Sequence, residues 1–161
     1  MNNRAILEAV ARGDMSPDEA STKLGKRQPR GKGRDAEFQA LWDKAHAAGA
    51  EALDACTPTP MIVGSPSTPL GNDVDPTQKT YFVEGGACGF AWVKIRPATC
   101  AFARWMKRTG KVRGGAAYRG GYDIWISAGG QSIARKEAYA RALADVLRNA
   151  GITAYADSRL D

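Results

Sequence analysis

GYDIWISAGGQSIARKEAYARALADVLRNAGITAYA, residues 121–156, changes its periodicity twice. Tyr122, Ile124 and Ile126 alternate with Asp123 and Trp125, the period of two that sends successive side chains to opposite faces of a strand. From Ser132 to Ala150 the repeat becomes helical. Tyr139, Leu143, Val146, Leu147 and Ala150 recur at i, i+4, i+7, i+8 and i+11, and Gly151 stands where a left-handed residue closes a helix. Ile152 to Ala156 is extended again, so one continuous stretch reads strand, helix, strand.

Working outward, Tyr81-Phe82-Val83 and Gly89–Ile95 read as two strands around a turn at Glu84–Cys88. A helix follows that Thr99 can cap and Gly110 can end, with Phe102, Trp105 and Met106 as its buried stripe. The order β-β-α-β-α-β places helices against a small mixed sheet and predicts an α+β fold. Further upstream, Phe38, Leu41, Trp42, Ala45 and Ala48 or Ala52 share one face of a helix from Asp35 to Ala55. Residues 56–79 hold five of the eight prolines, and a loop of that length inside a compact domain is expected to bind or to cover something. Within it Pro60–Gly64 is apolar enough for a short strand. Residues 1–25 read as a helical hairpin, stopped at Gly13 and restarted by the capping box Ser16-Pro17-Asp18-Glu19. Residues 26–35 form a basic flexible linker, and 36–161 the α+β domain.

The whole chain has 161 residues and a formal charge of +6, with 23 Lys plus Arg against 17 Asp plus Glu. That length supports one core with an appendage and excludes a large multidomain enzyme. No run approaches the ~18 apolar residues of a membrane span, and the charged N-terminus lacks a signal-peptide core, which predicts a cytoplasmic protein with no membrane partner. Cys56, Cys88 and Cys100 are widely spaced without a C-x-x-C pair, so neither a disulfide scaffold nor a zinc knuckle is expected, and no metal or cofactor.

Three features carry candidate chemistry. Gly129-Gly130-Gln131-Ser132 precedes the long helix, with Arg135 and Lys136 in its first turn. Cations oppose the dipole at a helix N-terminus, and a bound phosphate would reverse that penalty; otherwise the two side chains point to solvent. Secondly, no acidic residue occurs between Glu84 and Asp123, whereas Lys94, Arg96, Arg104, Lys107, Arg108, Lys111, Arg113 and Arg119 do, interleaved with Trp92, Trp105 and Tyr118. Such a region attracts phosphates and offers rings for bases. Thirdly, alternation sets Phe90, Trp92 and Lys94 on one strand face and Asp123 and Trp125 together on another. The candidate ligand-binding set is therefore Trp92, Arg96, Tyr122, Asp123, Trp125, Gly129, Gly130, Gln131, Ser132, Arg135 and Lys136. Asp123 is a single carboxylate, and His46 is the only histidine; neither has a visible catalytic partner, so binding without turnover is the leading expectation.

The segments PTPMIVG (58–64), CGFAWVKIRPA (88–98), GGYDIWI (120–126), QSIARKEAYARALADVLRNAGI (131–152) and SRLD (158–161) resemble a family of small uncharacterised proteins encoded by tailed bacteriophages. The resemblance covers roughly residues 36–161. It implies an accessory protein acting in the host cytoplasm, and by analogy a counter-defence role in which a nucleotide immune signal is sequestered. The expected partner is a nucleotide or another phosphate-bearing small molecule. Nucleic acid is the alternative partner, a nucleotide phosphodiesterase using Asp123 or His46 as base is a further reading, and assembly into a homo-oligomer is compatible with all three.

Overall fold

The structure, a computed structural model, describes residues 9–16, 19, 32–112 and 120–161, the side chain of Lys32 excepted. The chain divides into two compact units, Met1–Glu37 and Phe38–Asp161. In the first, residues 9–11 are helical and end at Gly13, whose φ of 77° suits a residue without a Cβ. The Glu19 N–H donates to Ser16 Oγ, and the Ser16 N–H reaches Glu19 Oε2, so the capping box is made. The rest of the hairpin at 1–25 and residues 26–31 of the basic linker lie outside the described residues. Residues 32–35, expected in the linker, are instead the first turn of helix α1 (Lys32–Ala55).

The second unit continues α1 and adds β1 (Met61–Val63), β2 (Tyr81–Val83), β3 (Gly89–Arg96), α2 (Ala101–Arg108), β4 (Tyr122–Trp125), α3 (Ile133–Asn149) and β5 (Thr153–Leu160). The fold is α+β, and its last six elements follow the expected order β-β-α-β-α-β. Two details differ. Both sheets are antiparallel throughout, not mixed. β2 does not pair with β3; it joins β1 in a two-stranded ribbon, while β3 is the centre of a three-stranded sheet ordered β4-β3-β5. β4 and β5 thus run parallel to one another on either side of β3. The crossover helix α3 is long enough to carry the chain over the central strand, a separation that local periodicity does not encode.

Helix ends follow local chemistry. At α2 the N-cap is Cys100, whose Sγ accepts the Ala103 N–H at 3.3 Å, and not Thr99. α2 closes with Gly110 N–H to Lys107 O and Lys111 N–H to Met106 O, and α3 closes with Gly151 N–H to Arg148 O and Ile152 N–H to Leu147 O. These are paired Schellman bonds, with Gly110 and Gly151 at positive φ as their positions require.

β3 alternates strictly, burying Gly89, Ala91, Val93 and Ile95. Ala91, Val93 and Ile95 meet Tyr122 and Ile124 of β4, Ala154 of β5, Phe102, Trp105 and Met106 of α2, and Leu143 and Leu147 of α3 in a single core. α1 closes that core through Phe38 and Trp42. The Phe38 ring meets Phe102 edge-on at 5.4 Å, and Trp42 meets Trp105 at 6.2 Å. Gly49 lets α1 approach α3, since a Cβ there would lie 2.5 Å from the Tyr139 ring. The helices therefore cover one face of the three-stranded sheet, and the other face carries the alternate side chains.

Candidate functional site

The face opposite the helices α2 and α3 follows from register, because directly paired residues share a face. Trp92 of β3 lies between Trp125 of β4 and Asp157 of β5. In the next row Lys94 lies between Asp123 and Tyr155, and Arg96 pairs with Thr153 beyond it. Phe90 pairs with Arg159 at the opposite end. One surface therefore combines Phe90, Trp92, Trp125 and Tyr155 with Lys94, Arg96, Arg159, Asp123 and Asp157.

Its geometry is set by a pair of indole rings and one covered ion pair. The Trp92 and Trp125 rings are 5.0 Å apart and tilted by 39°. Trp125 is 55% exposed and Tyr155 53%, large values for aromatic side chains on a sheet. Lys94 Nζ donates to Asp123 Oδ1 at 2.6 Å, with only 14% and 16% of these side chains accessible, so a mostly covered ion pair lies next to the Trp92–Trp125 row and in line with Tyr155. Phe90 has cations close by, with Arg159 and Lys136 each 5.4 Å from its ring centre. Beyond Tyr155, at the β5 end, a depression of about 330 Å³ is lined by Arg148, Gly151, Ile152, Thr153, Ala154 and Tyr155.

Trp92, Arg96, Asp123 and Trp125 of the expected set meet on this face. Tyr122 does not. It is 7% exposed on the core side, one residue out of phase with Asp123, and cannot share a base with Trp92. The expected phosphate cradle is also differently arranged. Gly129 and Gly130 do adopt positive φ, 91° and 63°. Gln131 O accepts the Gly89 N–H, and Ile133 N–H donates to Ala87 O, so the start of α3 is laced to the β2–β3 connection. Ser132 Oγ is buried and has no hydrogen-bond partner among the described residues. Arg135 Nε reaches Leu53 O near the C-terminal end of α1, with Asp54 3.8 Å away. Lys136 is only 7% exposed and donates to Gly89 O at 2.8 Å. The cations that seemed to violate the dipole rule serve main-chain oxygens of neighbouring elements.

The acid-free region is divided as well. Lys94 and Arg96 belong to the sheet face opposite the helices, whereas Arg104, Lys107 and Arg108 lie on the exposed side of α2, whose other side enters the core. Arg113, Tyr118 and Arg119 lie outside the described residues. His46 is remote from Asp123, on the helical side of the sheet. Its Nδ1 shares a 2.7 Å hydrogen bond with Tyr139 Oη, its ring lies 4.2 Å from Trp42, and its Nε2 is buried without a partner among the described residues. Burial, and secondarily the Lys111 ammonium, hold the imidazole below its ordinary range, with Asp43 opposing. His46 and Asp123 therefore do not form one acid–base pair.

Tyr155, Asp157 and Arg159 share this face without belonging to the expected set. Their signal was the alternation of β5, which becomes informative only once β5 is known to pair with β3. Among the described residues no group of three or more His, Cys, Asp or Glu side chains is gathered as a metal site, and no helix is long and apolar enough to cross a membrane. A scan against protein-family models, a search of curated proteins and a search of solved structures find no match to the chain.

Proposed function

We propose that the protein binds single-stranded nucleic acid across the face of its three-stranded sheet opposite the helices. The observation that carries this reading is the row of Trp92 and Trp125, ring centres 5.0 Å apart, next to an exposed Tyr155 and the exposed cations Arg96 and Arg159. Aromatic rings on an open sheet stack unpaired bases, while neighbouring cations attract the backbone. A strand crossing from Trp125 to Tyr155 would meet the depression beside Arg148. Capture of a small phosphorylated nucleotide has less support, because Arg135 and Lys136 already engage Leu53 O and Gly89 O. The resemblance to phage proteins would set the binding in an infected bacterial cytoplasm, where holding single strands serves phage replication or defence evasion equally well.

Titration of the full chain with fluorescein-labelled single-stranded octamers at low and moderate salt tests the proposal. Binding should weaken as salt rises, and Trp125→Ala should cost about 1–3 kcal/mol, the worth of one stacked base. Trp125 is more than half exposed, so beyond the contact with Trp92, worth about 0.5–1.5 kcal/mol, the substitution should leave the fold intact. No binding at low salt, or equal affinity for the folded Trp125→Ala variant, would refute the proposal.

A further inference from the structure

Two carboxylates stand on a face that would have to approach phosphates. Asp157 is opposite Trp92, and Asp123 occupies the position two residues before Trp125 on β4. For purely backbone-driven binding, both are repulsive. Asp123 is also held in place, for Lys94 Nζ fixes Oδ1 at 2.6 Å in a mostly covered pair. An ionised carboxylate is an acceptor only, with about four lone-pair sites on two oxygens, and among the described residues the contact to Lys94 takes up one of them.

Bases differ in what they offer such an acceptor. Guanine presents N1–H and the N2 amino group side by side, two parallel donors with the spacing of a carboxylate. Adenine and cytosine present one amino group next to an acceptor nitrogen, and uracil and thymine present one N–H between two carbonyls. Residues two apart on one strand are about 7 Å apart, so a base lying over Trp125 has its edge within reach of Asp123. Resting on the stacking reading above, we propose that Asp123 makes the site selective for guanine. It accepts N1–H and N2–H on its two oxygens while Lys94 fixes the orientation of the carboxylate. Single-stranded bases are accessible along these edges in the way duplex bases are not.

The test uses the full chain and octamers of uridine carrying one central guanine, hypoxanthine, adenine or uracil, with the corresponding thymidine-based deoxy-octamers in parallel to distinguish RNA from DNA. Hypoxanthine lacks only the N2 amino group, so it removes one donor without changing the protein. The guanine octamer should bind about tenfold more tightly than the hypoxanthine, adenine and uracil octamers, the discrimination of one bidentate contact. Asp123→Asn, which replaces an acceptor by a donor, should level the series. If the wild-type protein binds all four with equal affinity, guanine selectivity is overturned while stacking stands. If it binds none of them, the platform reading falls, and selectivity with it. A guanine preference retained in Asp123→Asn would overturn the assignment to Asp123.

Discussion

Replacing Gly49 by Ala tests how α1 is seated on the body of the fold. An ideal Cβ at this position would lie 2.5, 2.6 and 2.9 Å from Cε1, Cδ1 and Cζ of Tyr139. Ordinary contact needs roughly 3.4 Å or more, so the ring or the helix must withdraw by about 1 Å, and overpacking of that kind costs about 1–3 kcal/mol. Tyr139 cannot withdraw freely, because it is buried and its Oη holds His46 Nδ1 at 2.7 Å. Weakening that bond adds about 1 kcal/mol, and the better helix propensity of Ala returns about the same amount. The expected net loss is about 1–3 kcal/mol, a fall in melting temperature of roughly 2–10 °C for a chain of this size. Circular dichroism at 222 nm during heating reads it directly. Gly33→Ala on the same helix is the control, since a Cβ there meets nothing within 4 Å, and it should be neutral or mildly stabilising. In a double-mutant cycle, Gly49→Ala combined with Tyr139→Leu should cost less than the sum of the two changes. Equal stabilisation by Gly49→Ala and Gly33→Ala, or strict additivity in the cycle, would refute the close approach of α1 to Tyr139.

Lys136→Glu should destabilise by about 3 kcal/mol, since it buries a carboxylate against the Gly89 carbonyl that the ammonium now satisfies; a urea midpoint unchanged from wild type would contradict the burial. Cys100→Ser should stabilise by up to about 1 kcal/mol in the same assay, because a hydroxyl caps the Ala103 N–H better than the thiol at 3.3 Å; a loss of stability would show that thiol packing outweighs the cap. His46 should make stability pH-dependent. Its folded pKa lies below the ordinary 6.5, so the unfolded chain takes up the proton first, and its contribution is complete above about pH 6.5 and lost as pH falls through the folded pKa. The stability difference between wild type and His46→Gln should therefore shift against the wild type between pH 7.5 and pH 5; a difference independent of pH would disprove it.

Much of the architecture was legible in local pattern. The alternation Phe90-Ala91-Trp92-Val93-Lys94-Ile95 already separates a core face from an aromatic and charged one, and Gly110 and Gly151 mark helix ends because only their backbone requirement selects glycine there. Pairing was less legible. Nothing in Tyr81-Phe82-Val83 says that its partner is Met61-Ile62-Val63 rather than the strand immediately after the turn, since both offer similar apolar runs. The phosphate-cradle reading assigns Arg135 and Lys136 to a bound anion, and the alternative leaves them pointing to solvent. Long side chains can instead reach back to carbonyls of other elements, and which carbonyls lie within reach depends on tertiary arrangement alone. Tyr155 could not be placed beside Lys94 for the same reason.

The residues that β3 joins to β5 are 57 to 71 positions apart in sequence, from Arg96 with Thr153 to Gly89 with Leu160. Closing so wide a loop is entropically costly and slow compared with forming the three helices. Until it closes, Trp92 has no neighbour on its β5 side, and Tyr155 and Arg159 are not on the same surface as Lys94. An incompletely folded chain would keep its helices yet present no assembled aromatic face. On the proposed reading, affinity for a single strand would consequently count only molecules that have completed their longest-range pairing, which far-ultraviolet helicity would overestimate.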